Sequence, residues 1–308
     1  MIKKPRAVWA VDVGGTKIAA ARVSRSGKLS DYAQVRTPAA GGRKVVEAVV
    51  KLLERMPAKD VGAIGIDVPG LAWPDGRVWA PNIPGWQRMP LGPALRKHFR
   101  LPVLVESDRN AFVVGEAWQG AARNCRDVVF VAVGTGIGAG ILAGGRLLRG
   151  HGELAGSVGW MALRDRFLPG YEKVGCFEYH ASGTGIGLAG SREFNRPLLA
   201  DELTAMARKG NRKAMAVLER SGHDLGLGLS NLVDVLNPEV IVIGGGVAAA
   251  GNMILEAARK TMKQWGQPLA VRQVRVVRSR LGTRAGLLGA AKLAFDDCDR
   301  LAEWNKRA

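Results

Sequence analysis

The stretch Ala7–Ala21, AVWAVDVGGTKIAAA, decides how the rest of the chain is read. An apolar run ends in Asp12, the chain passes through Gly14-Gly15-Thr16-Lys17, and a second apolar run follows. That pattern is strand, tight turn, strand. Two adjacent glycines let backbone N–H groups come close to an anion, because no Cβ stands in the way. Thr16 adds a hydroxyl and Lys17 a cation, both suited to phosphate oxygens. Asp12, at the end of a buried strand, is placed to organise Mg²⁺ through water. Alone, the same residues also make a plain hairpin with a solvated lysine, so their neighbours must decide.

Val128–Leu142, VVFVAVGTGIGAGIL, repeats the pattern when Ala132 is laid on Asp12. Gly134, Thr135, Gly136 and Gly138 then form a second glycine turn between strands. One such hairpin in each half predicts a duplicated α/β architecture, with two turns that grip one polyphosphate from opposite sides. The second copy lacks the acid, so only the first serves a metal. Farther on, the strand Val240–Ile243 delivers Gly244-Gly245-Gly246 to a helix start, a nucleotide-type element.

Helical spacing marks residues 41–56, 91–99, 200–209, 213–236 and 285–295, and apolar runs mark strands at 61–68, 102–106 and 271–277. Arg272, Arg275, Arg278, Arg280 and Arg284 read as the solvent face of that last strand. Leu71–Trp86 is rich in Pro and Gly and holds three tryptophans. Its Asn82, between Pro81 and Pro84, either satisfies turn backbone or offers a fixed amide beside tryptophan faces to a polyhydroxylated ligand. Asp108 follows a strand and opens a helix, so it is either a helix cap or a general base facing a cleft.

Bulk composition narrows the function classes. The chain has 308 residues, 47% hydrophobic and 23% charged, enough to bury a full core. The formal charge of +18 is spread along the chain and is not interleaved with aromatics. It predicts a basic surface that attracts anionic substrates, not specific nucleic-acid binding. Three cysteines without framework spacing indicate free thiols in a reducing compartment. No signal peptide or membrane helix is read, so a cytoplasmic protein is expected.

The whole set resembles the ROK sugar kinases, the bacterial glucokinase and fructokinase group with the actin-like ATPase fold. The matching residues are Asp12–Lys17, Val68-Pro69-Gly70 with Pro81–Trp86, and Asp108 within Glu106–Asn110. They continue with Gly134–Gly138, Gly175-Cys176-Phe177-Glu178 with Ala181-Ser182-Gly183, and Asn237-Pro238-Glu239 with Gly244–Gly246. The resemblance implies two lobes around a central cleft, an N-terminal lobe of 1–118 and a C-terminal lobe of 119–308, with the last helix returning to the first. It implies transfer of the ATP γ-phosphate, with Mg²⁺, to a hexose hydroxyl, usually the 6-OH, with Asp108 accepting the proton. Glucose is the default sugar, and a homodimer is common in such families.

Three departures bear on the sugar. Ser107 stands for the family's Asn. Ser157 and Trp160 stand for the Glu and His of Gly-Glu-x-Gly-His, and Pro169 and Tyr171 stand for two zinc-binding cysteines. With Cys176 alone remaining, no structural zinc is expected. Trp160 either fills that space as core or stacks on a sugar face. Pro69, Gly70, Asn82, Ser107, Asp108, Ser157, Trp160 and Glu178 are the sugar-contact candidates, and an amino sugar, a ketohexose or an unusual sugar is the alternative substrate. A sugar-binding protein without turnover is the alternative of another class. A DNA-binding repressor is not expected, since only a few residues precede the first strand.

Overall fold

The computed structural model describes residues 4–249 and 252–307. The chain divides into two compact units, one of residues 1–124, 149–154 and 283–308, the other of 125–148 and 155–282. In the first unit β1 (Ala7–Val13), β2 (Lys17–Ser24) and β3 (Leu29–Arg36) form an antiparallel meander. After α1 (Gly42–Glu54), β4 (Val61–Val68) returns parallel to β1. A small hairpin of β5 (Leu71–Ala72) and β6 (Val78–Trp79) follows, then α2 (Leu91–Phe99), β7 (Val103–Ser107) and α3 (Asp108–Gln119). The sheet order is β3-β2-β1-β4-β7.

The second unit opens with β8 (Val128–Val133), β9 (Ile137–Ala143) and β10 (Arg146–Leu147). Five helices follow: α4 (Tyr171–Val174), α5 (Cys176–Ala181), α6 (Gly183–Phe194), α7 (Ala200–Arg208) and α8 (Arg212–Leu236). Then come β11 (Val240–Gly244), α9 (Gly246–Ala249), α10 (Asn252–Trp265), α11 (Pro268–Gln273) and β12 (Arg275–Arg278). Its sheet order, β10-β9-β8-β11-β12, reproduces the first strand for strand. The copies differ at the turn. Val13 pairs with Ile18, whereas Val133 pairs with Ile137, so the second turn is one residue shorter.

The closing helix α12 (Ala285–Arg307) belongs to the first unit. It lies flush on β4 and α3 because small residues line the contact. A Cβ on Gly65 would stand 2.1 Å from the Ala290 carbonyl oxygen, and one on Gly115 would stand 2.3 Å from that of Ala285. The central strands are buried on both faces, which explains why β1, β4, β8 and β11 read as near-continuous apolar runs. Helix α1 instead buries one stripe, Val45, Val49, Leu52 and Leu53.

Several expectations are corrected. The first unit extends past residue 118, because the Glu116 carboxylate accepts from Ala121 N at 2.6 Å and its carbonyl from Ala122 N at 3.1 Å. Residues 271–277 are not one strand: Gln267 caps the N–H groups of Leu269 and Ala270, Pro268 opens a helix, and only Arg275–Arg278 is extended. Of the five arginines, Arg272 is therefore helical, and only Arg275 and Arg278 lie on the strand. Among the described residues no helix is long and apolar enough to cross a membrane.

Candidate active site

Parallel pairing of β1, β4 and β7 sets Asp12 opposite Asp67, and Asp67 opposite Glu106, at the carboxyl ends of adjacent strands. Asp108 begins α3 just beyond. Four carboxyls thus gather at the carboxyl end of one sheet, where α/β folds place their ligands.

Each acid is held differently. Glu106 is buried and fully engaged: it accepts from Ser107 N at 2.9 Å and Asn110 Nδ2 at 3.0 Å, and pairs with Arg149, whose Nη2 lies 2.8 Å away. Arg149 and Glu153 reach this site because residues 149–154 pack with the first unit. Arg109, largely desolvated, donates to the Glu153 carbonyl at 3.3 Å. Asp108 is partly exposed. Its Oδ1 accepts from Arg109 N at 2.7 Å, leaving Oδ2 open. Burial pushes its pKa up to about 6 against the restraint of the Arg109 amide and guanidinium. Ser107 occupies the helix cap position without making a side-chain cap.

Asp67 is fully buried, and apart from the Asp12 carboxyl beside it neither oxygen has a hydrogen-bond partner among the described residues. Burial, then the charges of Asp12 and Asp108, drive its pKa well above the carboxylate range. Asp12 is also raised by burial, less so because Asp67 and Lys17 favour its charge. Asp67 therefore takes up a proton on folding. Below the unfolded pKa near 3.8 both states are protonated; above it the unfolded chain ionises first, so stability falls as pH rises toward the folded pKa. Asp67→Asn removes this cost. Without metal or nucleotide, its melting temperature should match wild type near pH 4 and exceed it as the pH rises; a constant difference would contradict the protonated Asp67.

Ser107 Oγ, Arg109 Nε and Asn110 Oδ1 are buried without a partner among the described residues, and the Asp67 oxygens meet only the Asp12 carboxyl. All belong to the strand ends and helix start around Asp108. The cost of an unmade buried hydrogen bond makes such clustering the mark of a polar ligand site. The hard oxygens of Asp12 and Asp67 suit Mg²⁺.

The first glycine turn lies beside this cluster. Gly15, Thr16 and Lys17 are exposed, and the Gly14 amide is tied to the Lys17 carbonyl at 2.9 Å. Asn82 is exposed and sits against that turn, its carbonyl oxygen 3.5 Å from where a Gly15 Cβ would be. Pro69 and Gly70 are half-buried; at φ 148°, with the Trp79 carbonyl 2.1 Å from an added Cβ, only glycine fits at 70. Trp86 presents no ring face to a ligand. It is 1% exposed and anchors the loop by donating to the Gly42 carbonyl at 3.0 Å.

In the second unit Glu178 braces the second turn, accepting from Ile137 N at 2.7 Å, with burial raising its pKa. Gly134 and Gly136 are half-buried and Thr135 is exposed. The Gly134 carbonyl accepts from Gly183 N at 2.7 Å. Gly245 lies against Val133, which sets the Gly244–Gly246 turn beside that hairpin; Gly245 and Gly246 are exposed. Ser157 is half-buried and opens a short turn to Trp160. Trp160 is 56% exposed and so does not fill a core. Instead Tyr171, at a cysteine position, is buried, bonds His180, and packs edge-on against Tyr179 at 5.2 Å.

Sequence reasoning missed Asp67, Glu106, Arg149 and Glu153 as members of the site. Asp67 had one visible signal, a single acid in the apolar run 61–68. Arg149 and Glu153 had none, because their place depends on chain tracing.

A duplicated sheet with a glycine turn in each copy and a carboxylate at the end of the last strand is the actin-like ATPase fold of sugar kinases. The chain belongs to the ROK family, whose model matches residues 8–297. It is 33% identical to a glucokinase of Streptomyces coelicolor over 92% of this chain and 96% of that one. It superimposes on a ROK hexokinase of Thermus thermophilus with TM-score 0.84, at 34% identity over 96% and 99% of the two chains. A ROK glucokinase of Streptomyces griseus, solved with glucose and AMPPNP, gives TM-score 0.78 at 30% identity over 94% and 99%.

Proposed function

We propose that this protein is an ATP-dependent hexose kinase that phosphorylates the 6-OH of glucose, with Asp108 as the general base. The observation that carries the site assignment is the cluster of unpartnered buried polar atoms around Asp108. Asp108 accepts the proton of the attacking hydroxyl on its open Oδ2. The Gly14–Lys17 turn and the Gly134–Gly136 turn donate N–H groups to the phosphates, Lys17 adds charge, and Gly244–Gly246 meet the adenosine. Asp12, with Asp67 beside it, would hold Mg²⁺, which would neutralise the phosphate charge. Pro69, Gly70, Asn82, Ser107, Ser157, Trp160 and Glu178 contact the sugar. Glucokinases among the relatives and a neighbour solved with glucose and an ATP analogue support the reaction and the default sugar.

The reading brings with it a cytoplasmic enzyme with three free thiols and a homodimer, the latter checked by light scattering. ADP release with Mg·ATP against glucose, fructose, mannose, glucosamine and N-acetylated hexosamines tests the function. Turnover is expected to be fastest with glucose. Silence on every sugar, while sugars still raise the melting temperature, would replace the kinase with a sugar-binding protein.

A further inference from the structure

The second unit carries a pocket of about 450 Å³ that the phosphoryl transfer does not use. Its size falls among small-molecule sites, about 300–1,000 Å³. It is walled by α5, α6, α8 and Arg164. Its lining holds three arginines, Arg164, Arg192 and Arg220, and one carboxylate, Asp224.

Their charges are unevenly met. Asp224 is 5% exposed and accepts from Arg164, which fixes that guanidinium in the floor. His180 lies 3.8 Å from the same carboxyl, but burial lowers its pKa, so it adds no lasting charge. Arg220 shares Glu193 with Lys213, at 3.6 and 3.7 Å. Arg192 has no carboxylate partner among the described residues. It donates to the Tyr179 hydroxyl and lies 5.6 Å above that ring, which holds it extended along the wall. Leu188, 44% exposed, and Ala189 give the wall its apolar part, and Ser221 and His223 complete the lining.

We infer that this pocket binds a small organic anion, a phosphate or carboxylate on an apolar or planar body. The anionic group meets Arg192 and Arg220, whose planar forks match either oxyanion. The body covers Leu188 and Ala189, surface that an inorganic ion would leave wet. The pocket shares helix α5 with Glu178, whose carboxylate braces the second glycine turn.

The test is a fluorescence titration with anilinonaphthalene sulfonate at near-physiological salt, with Mg·ATP present, followed by displacement with phenyl phosphate, benzoate and inorganic phosphate. We expect one saturable site from which phenyl phosphate or benzoate displaces the probe. Whichever is the stronger competitor identifies the head group, and inorganic phosphate should be at least roughly tenfold weaker than that competitor. Arg192→Ala with Arg220→Ala, both on exposed side chains, should weaken the probe at least roughly tenfold and leave the KM for ATP and sugar unchanged. Equal binding by wild type and the double variant, no saturable binding, or displacement by inorganic phosphate as strong as by the organic anions would overturn the assignment.

Discussion

Asp108→Asn is expected to lower kcat by roughly 10²- to 10⁴-fold while leaving sugar affinity within a few-fold. Asparagine keeps the shape and can still accept from Arg109 N, which now holds Asp108 Oδ1 at 2.7 Å. It cannot take the hydroxyl proton. The same residue sets the pH response. Because the base must be ionised and burial places its pKa at about 6, kcat/KM should be level above pH 6 and fall about tenfold per unit below it. Full turnover by the variant, or a profile level down to pH 5, would mean that the base is misassigned.

Gly289→Ala is expected to be the most damaging small substitution outside the site. A Cβ there would lie 1.7 Å from the Ala111 carbonyl oxygen on α3, and backbone cannot rotate aside as a side chain can. Separating the helices costs about 1–3 kcal/mol, against about 1 kcal/mol that alanine gains in helix propensity. Since α3 begins at Asp108, the shift should also move the base, so kcat falls along with the denaturation midpoint. Wild-type stability together with wild-type kcat would contradict the close α3–α12 contact.

Much of the fold was legible because local chemistry and global pairing agree. The Asp12–Lys17 turn, the second turn at Gly134 and the helix at Leu91–Phe99 lie where spacing and glycines put them. The strand β3 escaped because its exposed, polar face carries no apolar run. The stretch 271–277 misled because alternating valines and arginines fit a strand, while the Gln267 cap and Pro268 favour a helix first. Trp86 and Trp160 show the limit for single residues. Both belong to motifs, yet one is buried as an anchor and the other exposed, and only tertiary packing decides which. Asp67 is the instructive omission: one acid in an apolar strand looks like an edge position until sheet register sets it opposite Asp12.

The most direct test of the central claim follows the γ-phosphate itself. Phosphorus NMR of the enzyme with Mg·ATP and glucose should show a sugar 6-phosphate ester growing in step with ADP. Inorganic phosphate growing instead, or an unchanged ATP spectrum, would contradict phosphoryl transfer to the hexose hydroxyl.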